Sequence, residues 1–243
     1  MSIDFKFTNP DHPPGSQRED HRSDKKDAKP VTTVNDKNLG FDDWLGLLRK
    51  KLPSLGYARI LAFAASCCER SVPNYKAFSR ETHWGDPKVV AEALELIWRL
   101  VPTKNPAEFR SYARGLQEVL KTITPDTEQD FKSLLTSAAL DAANSVAETL
   151  DYPWDESIDH VVWVSSFARD TIDLFVQYRN KSDFSDKNVE APPTAQHALM
   201  VAELHKQQAD MGTLESIMDL TPHFLASFRS NATNRGKSNL GIG

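Results

Sequence analysis

The chain has 243 residues, of which 40% are hydrophobic and 26% are charged, which is typical of a soluble protein with a substantial core. Its formal net charge of −5 argues against a surface that neutralises nucleic-acid phosphates, so we expect no nucleic-acid partner. No apolar run approaches the roughly 20 residues of a membrane-spanning helix, and residues 1–30 lack the apolar core of a signal peptide. We therefore expect a cytoplasmic protein without a membrane partner.

The first 40 residues mix acidic and basic side chains and contain almost no large apolar residues. Such a segment buries too little apolar surface to offset the entropy lost on ordering. The sequence therefore predicts a disordered polar tail over residues 1–40, with a solubilising or linker role favoured over a docking arm. Residues 41–243 are predicted to form one all-α domain, an irregular multi-helix bundle.

Apolar residues recur with the helical period of 3.6 from Phe41 onward. The pattern predicts a first helix that ends at Pro53 and a second over residues 54–71, which is apolar on nearly every side and so belongs in the middle of the bundle. Asp86 before Pro87 is typical of the start of a third helix. Asn105, followed by a proline and a glutamate, indicates a capping box at the start of a fourth.

The second half of the chain shows the same period. A fifth helix is predicted after Pro125, and a sixth over residues 155–178. The sixth has two apolar stripes, which predict that it is covered on both sides. Residues 180–193 are predicted to form a loop, followed by helices over 194–211 and 213–229, the last kinked or broken near a proline.

The two cysteines, Cys67 and Cys68, are neighbours in the sequence. This spacing provides neither a disulfide framework nor a metal-binding CxxC motif, and it fits a reducing compartment. We expect both side chains to behave as small buried hydrophobic groups.

A charged pair, Glu69 and Arg70, follows the most apolar segment and precedes Pro73. The carbonyl end of a helix disfavours an anion, so Glu69 at the predicted helix end needs compensation. One interpretation is an ion pair with Arg70 or another cation, with hydrogen bonds to a turn at Pro73 and Asn74. The other is a partly buried carboxylate and guanidinium at the mouth of a pocket.

Asp141 shares a helical stripe with apolar residues, where an unpaired carboxylate is costly. It is expected either to pair with Arg70 or cap a neighbouring helix, or else to bind a cationic ligand. No catalytic motif is present, and the histidines lack metal-ligand spacing. The sequence therefore predicts no catalytic residue, no metal site and no cofactor.

Four segments together resemble the YjaG-like family of bacterial proteins, which is catalogued as domain of unknown function 416. They are Cys68-Glu69-Arg70-x-x-Pro73-Asn74-Tyr75 continuing to Gly85-Asp86, then Ile97-Trp98, Leu140-Asp141-Ala142 and Ser238-Asn239-Leu240-Gly241-Ile242. The resemblance implies a compact all-helical bacterial protein and supplies no activity. The long polar N-terminal extension departs from the shorter members of the family.

Two functional hypotheses follow. The first is a non-catalytic protein-binding module, such as an immunity-type inhibitor or adaptor, whose acidic surface suits a basic protein partner. The second is a helical enzyme or small-ligand-binding protein with a pocket near Glu69, Arg70 and Asp141. The sequence leaves the oligomeric state open. The candidate binding residues are Glu69, Arg70, Asn74, Tyr75, Asp86, Trp98 and Asp141.

Overall fold

The computed structural model describes residues 40–183 and 194–243, with the side chains of 180–183 excepted, and within them the chain forms eight α-helices and no β-strand. The helices are α1 (Phe41–Lys51), α2 (Tyr57–Thr82), α3 (Pro87–Leu100), α4 (Arg110–Ile123), α5 (Thr136–Asp155), α6 (Ile158–Asp183), α7 (Ala198–Ser216) and α8 (Pro222–Ala232). The predicted all-α fold class is confirmed. The predicted tail lies outside the described residues, apart from Gly40.

Helix α2 is the centre of the bundle and packs against α3, α5, α6, α7 and α8. The segment from Ile60 to Cys68 is buried throughout, as the apolar sequence predicted. Both cysteines lie in this segment, and burial raises the pKa of both thiols. No helix in the described residues is long and apolar enough to cross a membrane.

The predicted end of α2 near residue 71 is wrong, because the helix continues through Pro73 to Thr82. Proline lacks an N–H group and disrupts the hydrogen bonds of the preceding turn. One carbonyl of that turn, from Arg70, accepts a hydrogen bond from the backbone N–H of Asn239 at 2.9 Å. A segment near the C-terminal end of the sequence therefore supplies a donor at the interruption.

Two helix starts follow from local capping. Asp86 accepts a hydrogen bond from the backbone N–H of Lys88 at 2.9 Å, and Pro87 is the first residue of α3, as predicted. Thr221 caps α8 in the same way, so the proline at 222 begins a helix. The helix predicted over 213–229 is broken just before Pro222, as expected, into the last turn of α7, a connection and α8.

The starts of two other helices, α4 and α5, differ from the predicted positions. Asn105 makes no side-chain cap, and a 3-10 turn, Pro106–Phe109, precedes α4. Helix α5 begins at residue 136, about ten residues later than predicted. The residues before it form turns in which Asp126, Asp130 and Ser133 accept hydrogen bonds from backbone N–H groups two residues later. Short polar side chains of this kind compete with helix formation.

Helix α6 presents only one of its two apolar stripes to the core. The second stripe, consisting of Trp163, Phe167, Leu174 and Tyr178, lies at the surface, with Phe167 half-buried and the other three exposed. The prediction that both sides of this helix are covered is therefore wrong. Neighbouring helices occupy its core side, and the second stripe remains accessible in the described part of the chain.

Candidate functional site

Glu69 lies in the middle of α2 and faces a cleft. Its Oε1 atom accepts a hydrogen bond from Nε1 of Trp98 at 2.8 Å and one from Nε of Arg229 at 2.7 Å. The predicted compensation by a cation is therefore present, but that cation is Arg229 of α8, and the proposed pairing with Arg70 is wrong. Adjacent residues of a helix point in different directions, so Glu69 and Arg70 face different neighbours.

Arg229 connects three helices at this point. Besides Glu69 of α2, it binds Glu95 of α3 through both terminal nitrogens, with the Nη1–Oε2 distance at 2.9 Å. Its guanidinium lies over the ring of Trp98, 5.5 Å from the centroid. The hydrogen bonds from Arg229 hold the pKa of Glu95 below its usual range. We call Glu69, Glu95, Trp98 and Arg229 the Arg229 cluster.

The Arg229 cluster lies at one side of a cleft between α2, α3 and α8, with a volume of about 320 Å³. Apolar groups of Val72, Leu94 and Ile242 contribute to its walls. Two basic residues of α2, Lys76 and Arg80, also line it. This α2/α3/α8 cleft combines apolar surface with charged groups.

Arg70 is buried on a different face of α2 from Glu69 and belongs to a different cluster. Its Nε and Nη2 atoms donate to the carboxylate of Glu203, and its Nη1 donates to Oδ2 of Asp210 at 2.8 Å. Lys206 binds the other oxygen of Asp210 at 2.6 Å. Two cations thus balance two carboxylates, which satisfies the requirement for burying charge.

This buried network extends through Gln207. Its Nε2 donates to Glu203, while its Oε1 accepts from Nε1 of Trp44 at 2.9 Å and from the hydroxyl of Ser165 at 2.6 Å. Helices α1, α2, α6 and α7 are consequently joined by side-chain hydrogen bonds in the core. The arrangement stabilises a specific packing and leaves Arg70 inaccessible to a ligand.

Asn74 binds the C-terminal motif rather than a turn of its own helix. Its Nδ2 donates to Oδ1 of Asn239 at 2.8 Å. The motif from residue 238 to 242 folds around the hydroxyl of Ser238, which accepts from the backbone N–H groups of Leu240 and Ile242. Two separate segments of the family pattern therefore meet at the interruption of α2 by Pro73.

Tyr75 and Asp86 are structural neighbours at the junction of α2 and α3. The hydroxyl of Tyr75 donates to the backbone carbonyl of Ile123 at 2.6 Å, and burial raises the pKa of Tyr75 to about 12. Asp86 caps α3, as described above. Between them in sequence, Gly85 has φ of 78°, and a Cβ atom there would lie 2.3 Å from the Tyr75 hydroxyl.

Asp141 joins α5 to α6. Its Oδ2 accepts a hydrogen bond from the hydroxyl of Thr171 at 2.8 Å. Burial raises its pKa to about 7, and the nearby carboxylate of Asp170 acts in the same direction while the bond from Thr171 opposes it. Asp141 does not pair with Arg70, whose guanidinium binds Glu203 and Asp210 of α7, so that prediction is wrong.

The seven candidate residues therefore do not converge on one site. Glu69 lines the α2/α3/α8 cleft and accepts a hydrogen bond from the buried Trp98, whereas the other five have partners within the core or at helix junctions. Sequence reasoning missed Glu95 and Arg229, which complete the cluster. It also missed Glu203 and Asp210, for which a signal existed: with Gln207 they place polar groups at helical spacing on one face of α7.

The described residues contain no group of three histidine, cysteine or acidic side chains suited to a metal ion. The carboxylates nearest the cleft instead bind Arg229. These ion pairs hold charged groups in fixed positions at the cleft, where they can present a polar surface to a ligand.

Fold and site together define a helical bundle stabilised by a buried ionic network, with a separate charged cleft. The family model described as "Protein of unknown function (DUF416)" matches residues 48–243, and the chain belongs to this family. The family predicted from the sequence pattern is thereby confirmed.

The relatives are bacterial proteins of similar length to the matched domain. The chain is 24% identical to the uncharacterized protein YjaG of Escherichia coli over 184 residues, which cover 75% of this chain and 89% of that protein. It is 25% identical to an uncharacterized protein of Haemophilus influenzae over 197 residues, which cover 80% of this chain and 96% of that protein.

A solved structure shares the fold. The crystal structure of a DUF416 family protein from Shewanella baltica matches with a TM-score of 0.66 and 24% sequence identity. The match covers 80% of this chain and 97% of that one.

Proposed function

We propose that this domain is a non-catalytic protein-binding module of the bacterial cytoplasm, and that the α5/α6 face binds a basic segment of another protein. The observation that carries the proposal is the exposed apolar stripe of α6. Trp163 and Tyr178 are 45% and 48% exposed, and Leu174 is 37% exposed. Large exposed apolar side chains gathered on one helix face are typical of protein interaction sites.

The stripe is arranged as a binding surface along one helix. Its members are spaced by four or seven residues, so they share one face of α6 over about four turns. Aromatic side chains dominate the energetics of many interfaces because they bury a large area with little loss of side-chain entropy. Burying one such side chain on binding contributes about 1.5–3 kcal/mol.

The charge around the stripe indicates the chemistry of the partner. Residues 136–179 contain eight acidic residues and two arginines, a net charge of −6 in a chain whose total is −5. Asp159 precedes Trp163 by four residues and Asp170 precedes Leu174 by four, so these carboxylates border the stripe, where they pair with Arg49 and Arg169. An amphipathic helix with a basic polar face complements this surface.

An immunity-type inhibitor or an adaptor is the specific role that we propose within this class, because both act by covering a surface of another protein. The alternative, a helical enzyme or small-ligand protein with a pocket near Glu69, Arg70 and Asp141, has less support. Arg70 and Asp141 bind core partners and lie in different clusters, so the three side chains do not form one pocket.

The test uses calorimetric titration of the full chain with two amphipathic helical peptides, one of leucine and lysine and the other of leucine and glutamate. We expect micromolar binding of the lysine peptide, weakened by salt, and no binding of the glutamate peptide. Trp163→Ser and Leu174→Ser should each weaken binding by about tenfold. Met218→Ser, which removes an exposed apolar side chain outside the stripe, is the matched control.

Co-purification from native lysate extends the test to a natural partner. A captured protein supports the proposal if Trp163→Ser releases it, Met218→Ser retains it, and salt elutes it. Equal capture by both variants, or binding of both peptides alike, contradicts the proposed face. A chain that remains alone and turns over a metabolite contradicts the proposed class.

A further inference from the structure

The α2/α3/α8 cleft contains two cations that form no ion pair within the part of the chain whose side chains are described. Lys76 and Arg80 are exposed at the cleft and lie one turn apart on α2. Neither forms an ion pair or hydrogen bond with any residue in 40–183 or 194–243 whose side chain is described. Like charges at this spacing destabilise a helix slightly, so the arrangement is unfavourable unless an anion binds.

The acidic side chains of the same cleft only partly offset these cations, and none forms an ion pair with them. Glu69 and Glu95 are the acidic side chains that line it, and both bind Arg229. Arg229 of α8 binds the two carboxylates through three hydrogen bonds. The Arg229 cluster therefore carries a net charge of −1, and with Lys76 and Arg80 the charged side chains of the cleft sum to +1.

The walls favour a ligand that is partly apolar. Val72, Leu94 and Ile242 contribute apolar surface beside the two cations. Such walls exclude water and strengthen charge interactions relative to an open surface. The volume of about 320 Å³ is at the lower end of the range for small-molecule sites, so a metabolite-sized ligand fits better than a large cofactor.

We infer that the α2/α3/α8 cleft binds a small organic dianion, a phosphate monoester or a dicarboxylate. Its anionic group contacts Lys76 and Arg80, and its apolar part contacts Leu94 and Ile242. The guanidinium of Arg80 offers paired donors for anionic oxygens, and the ammonium of Lys76 adds a second charge. This site shares no residue with the α6 stripe, so the inference is independent of the proposed protein partner.

The experiment titrates the full chain with phenyl phosphate and, separately, with glutarate, against sodium chloride at matched ionic strength. Calorimetry and the thermal unfolding midpoint are both measured, since binding to the native state raises the midpoint. We expect saturable binding of at least one probe, and the stronger of the two identifies the anionic group. Lys76→Gln/Arg80→Gln should lower that affinity by about tenfold or more.

The matched control is Lys50→Gln/Arg114→Gln, which removes the same charge from two exposed residues outside the cleft. We expect it to bind as the wild type does. A second variant, Ala91→Phe, fills the cleft without changing its charge and should abolish binding. Equal loss in the two double variants, retained binding in Ala91→Phe, or no effect of either probe beyond that of chloride would overturn the inference.

Discussion

Arg70 and Glu203 form a bidentate ion pair in the core, in which Nε and Nη2 of the guanidinium donate to the two carboxylate oxygens at 2.9 Å each. The same guanidinium also binds Asp210, so one side chain of α2 orients two acidic residues of α7. Removing one member of such a cluster leaves uncompensated buried charge.

Arg70→Met should therefore lower the free energy of unfolding by about 3–5 kcal/mol. The triple variant Arg70→Met/Glu203→Leu/Asp210→Leu should recover much of that loss, because it also removes the two buried carboxylates that lose their partner Arg70. Lys206→Met, which leaves Asp210 its hydrogen bond from Arg70, should lower the free energy of unfolding by less than Arg70→Met does. Denaturant unfolding measures all three. A small effect of Arg70→Met would show that the pair does not determine α2–α7 packing.

Glu69→Ala should lower the free energy of unfolding by about 1–3 kcal/mol, because the indole N–H of Trp98 loses its acceptor. Arg229 retains Glu95, which limits the loss. Glu69→Gln should cost less, since its carbonyl oxygen can still accept from Trp98. Glu81→Ala, at an exposed position of the same helix, is the control and should change stability by less than about 0.5 kcal/mol. Raised unfolding midpoints for both Glu69 variants would indicate functional strain instead.

Gly85→Ala should destabilise the protein more than Gly56→Ala. Both glycines have positive φ, but a Cβ atom at Gly85 meets the Tyr75 hydroxyl at 2.3 Å while one at Gly56 meets nothing within 4 Å. The comparison separates backbone strain, about 1 kcal/mol, from the steric clash. Tyr75→Phe in the Gly85→Ala background should restore part of the stability in thermal melts. Equal losses of stability in Gly85→Ala and Gly56→Ala would show that the contact with Tyr75 does not affect stability.

Asp141 should make stability decrease as pH rises from about 4 to 7. Its pKa in the folded protein is raised to about 7, chiefly by burial, so the native state retains a proton that the unfolded chain releases in that window. The penalty is absent below the unfolded-state pKa and complete above the folded-state value.

Asp141→Asn should therefore raise the free energy of unfolding by about 1–3 kcal/mol at pH 8 and leave it nearly unchanged at pH 4. Thr171 can still donate to the amide carbonyl. Asp43→Asn, at an exposed position, is the control. Denaturant melts across this pH range measure the difference, and an identical pH profile for wild type and Asp141→Asn would contradict the assignment.

The features predicted correctly from the sequence arise from interactions between residues that are close together along the chain. Asp86 and Pro87 begin α3 because a capping side chain and a proline at the first position act within one turn. The all-apolar segment from Ile60 to Cys68 indicated the central helix because no face of it could remain in water. The predicted family followed from four short segments read together.

Pro73 shows why a helix end cannot always be predicted from the residues around it. A proline predicts a helix end, but α2 continues because its faces pack against several helices and Asn239 supplies a donor to the interrupted turn. That donor lies 169 residues beyond Arg70, whose carbonyl accepts it, and its position depends on the whole fold.

By itself, the sequence determined the all-α class, the central position of the segment from Ile60 to Cys68 and the start of α3 at Asp86 and Pro87. Only the tertiary structure decided that the cation that binds Glu69 is Arg229, that Arg70 binds α7, and that one stripe of α6 stays exposed. The physical reason is that helical periodicity and capping arise from residues within a few positions of each other. Ion-pair partners and surface coverage depend on helices brought together from distant parts of the chain, separated in the case of Glu69 and Arg229 by 160 residues.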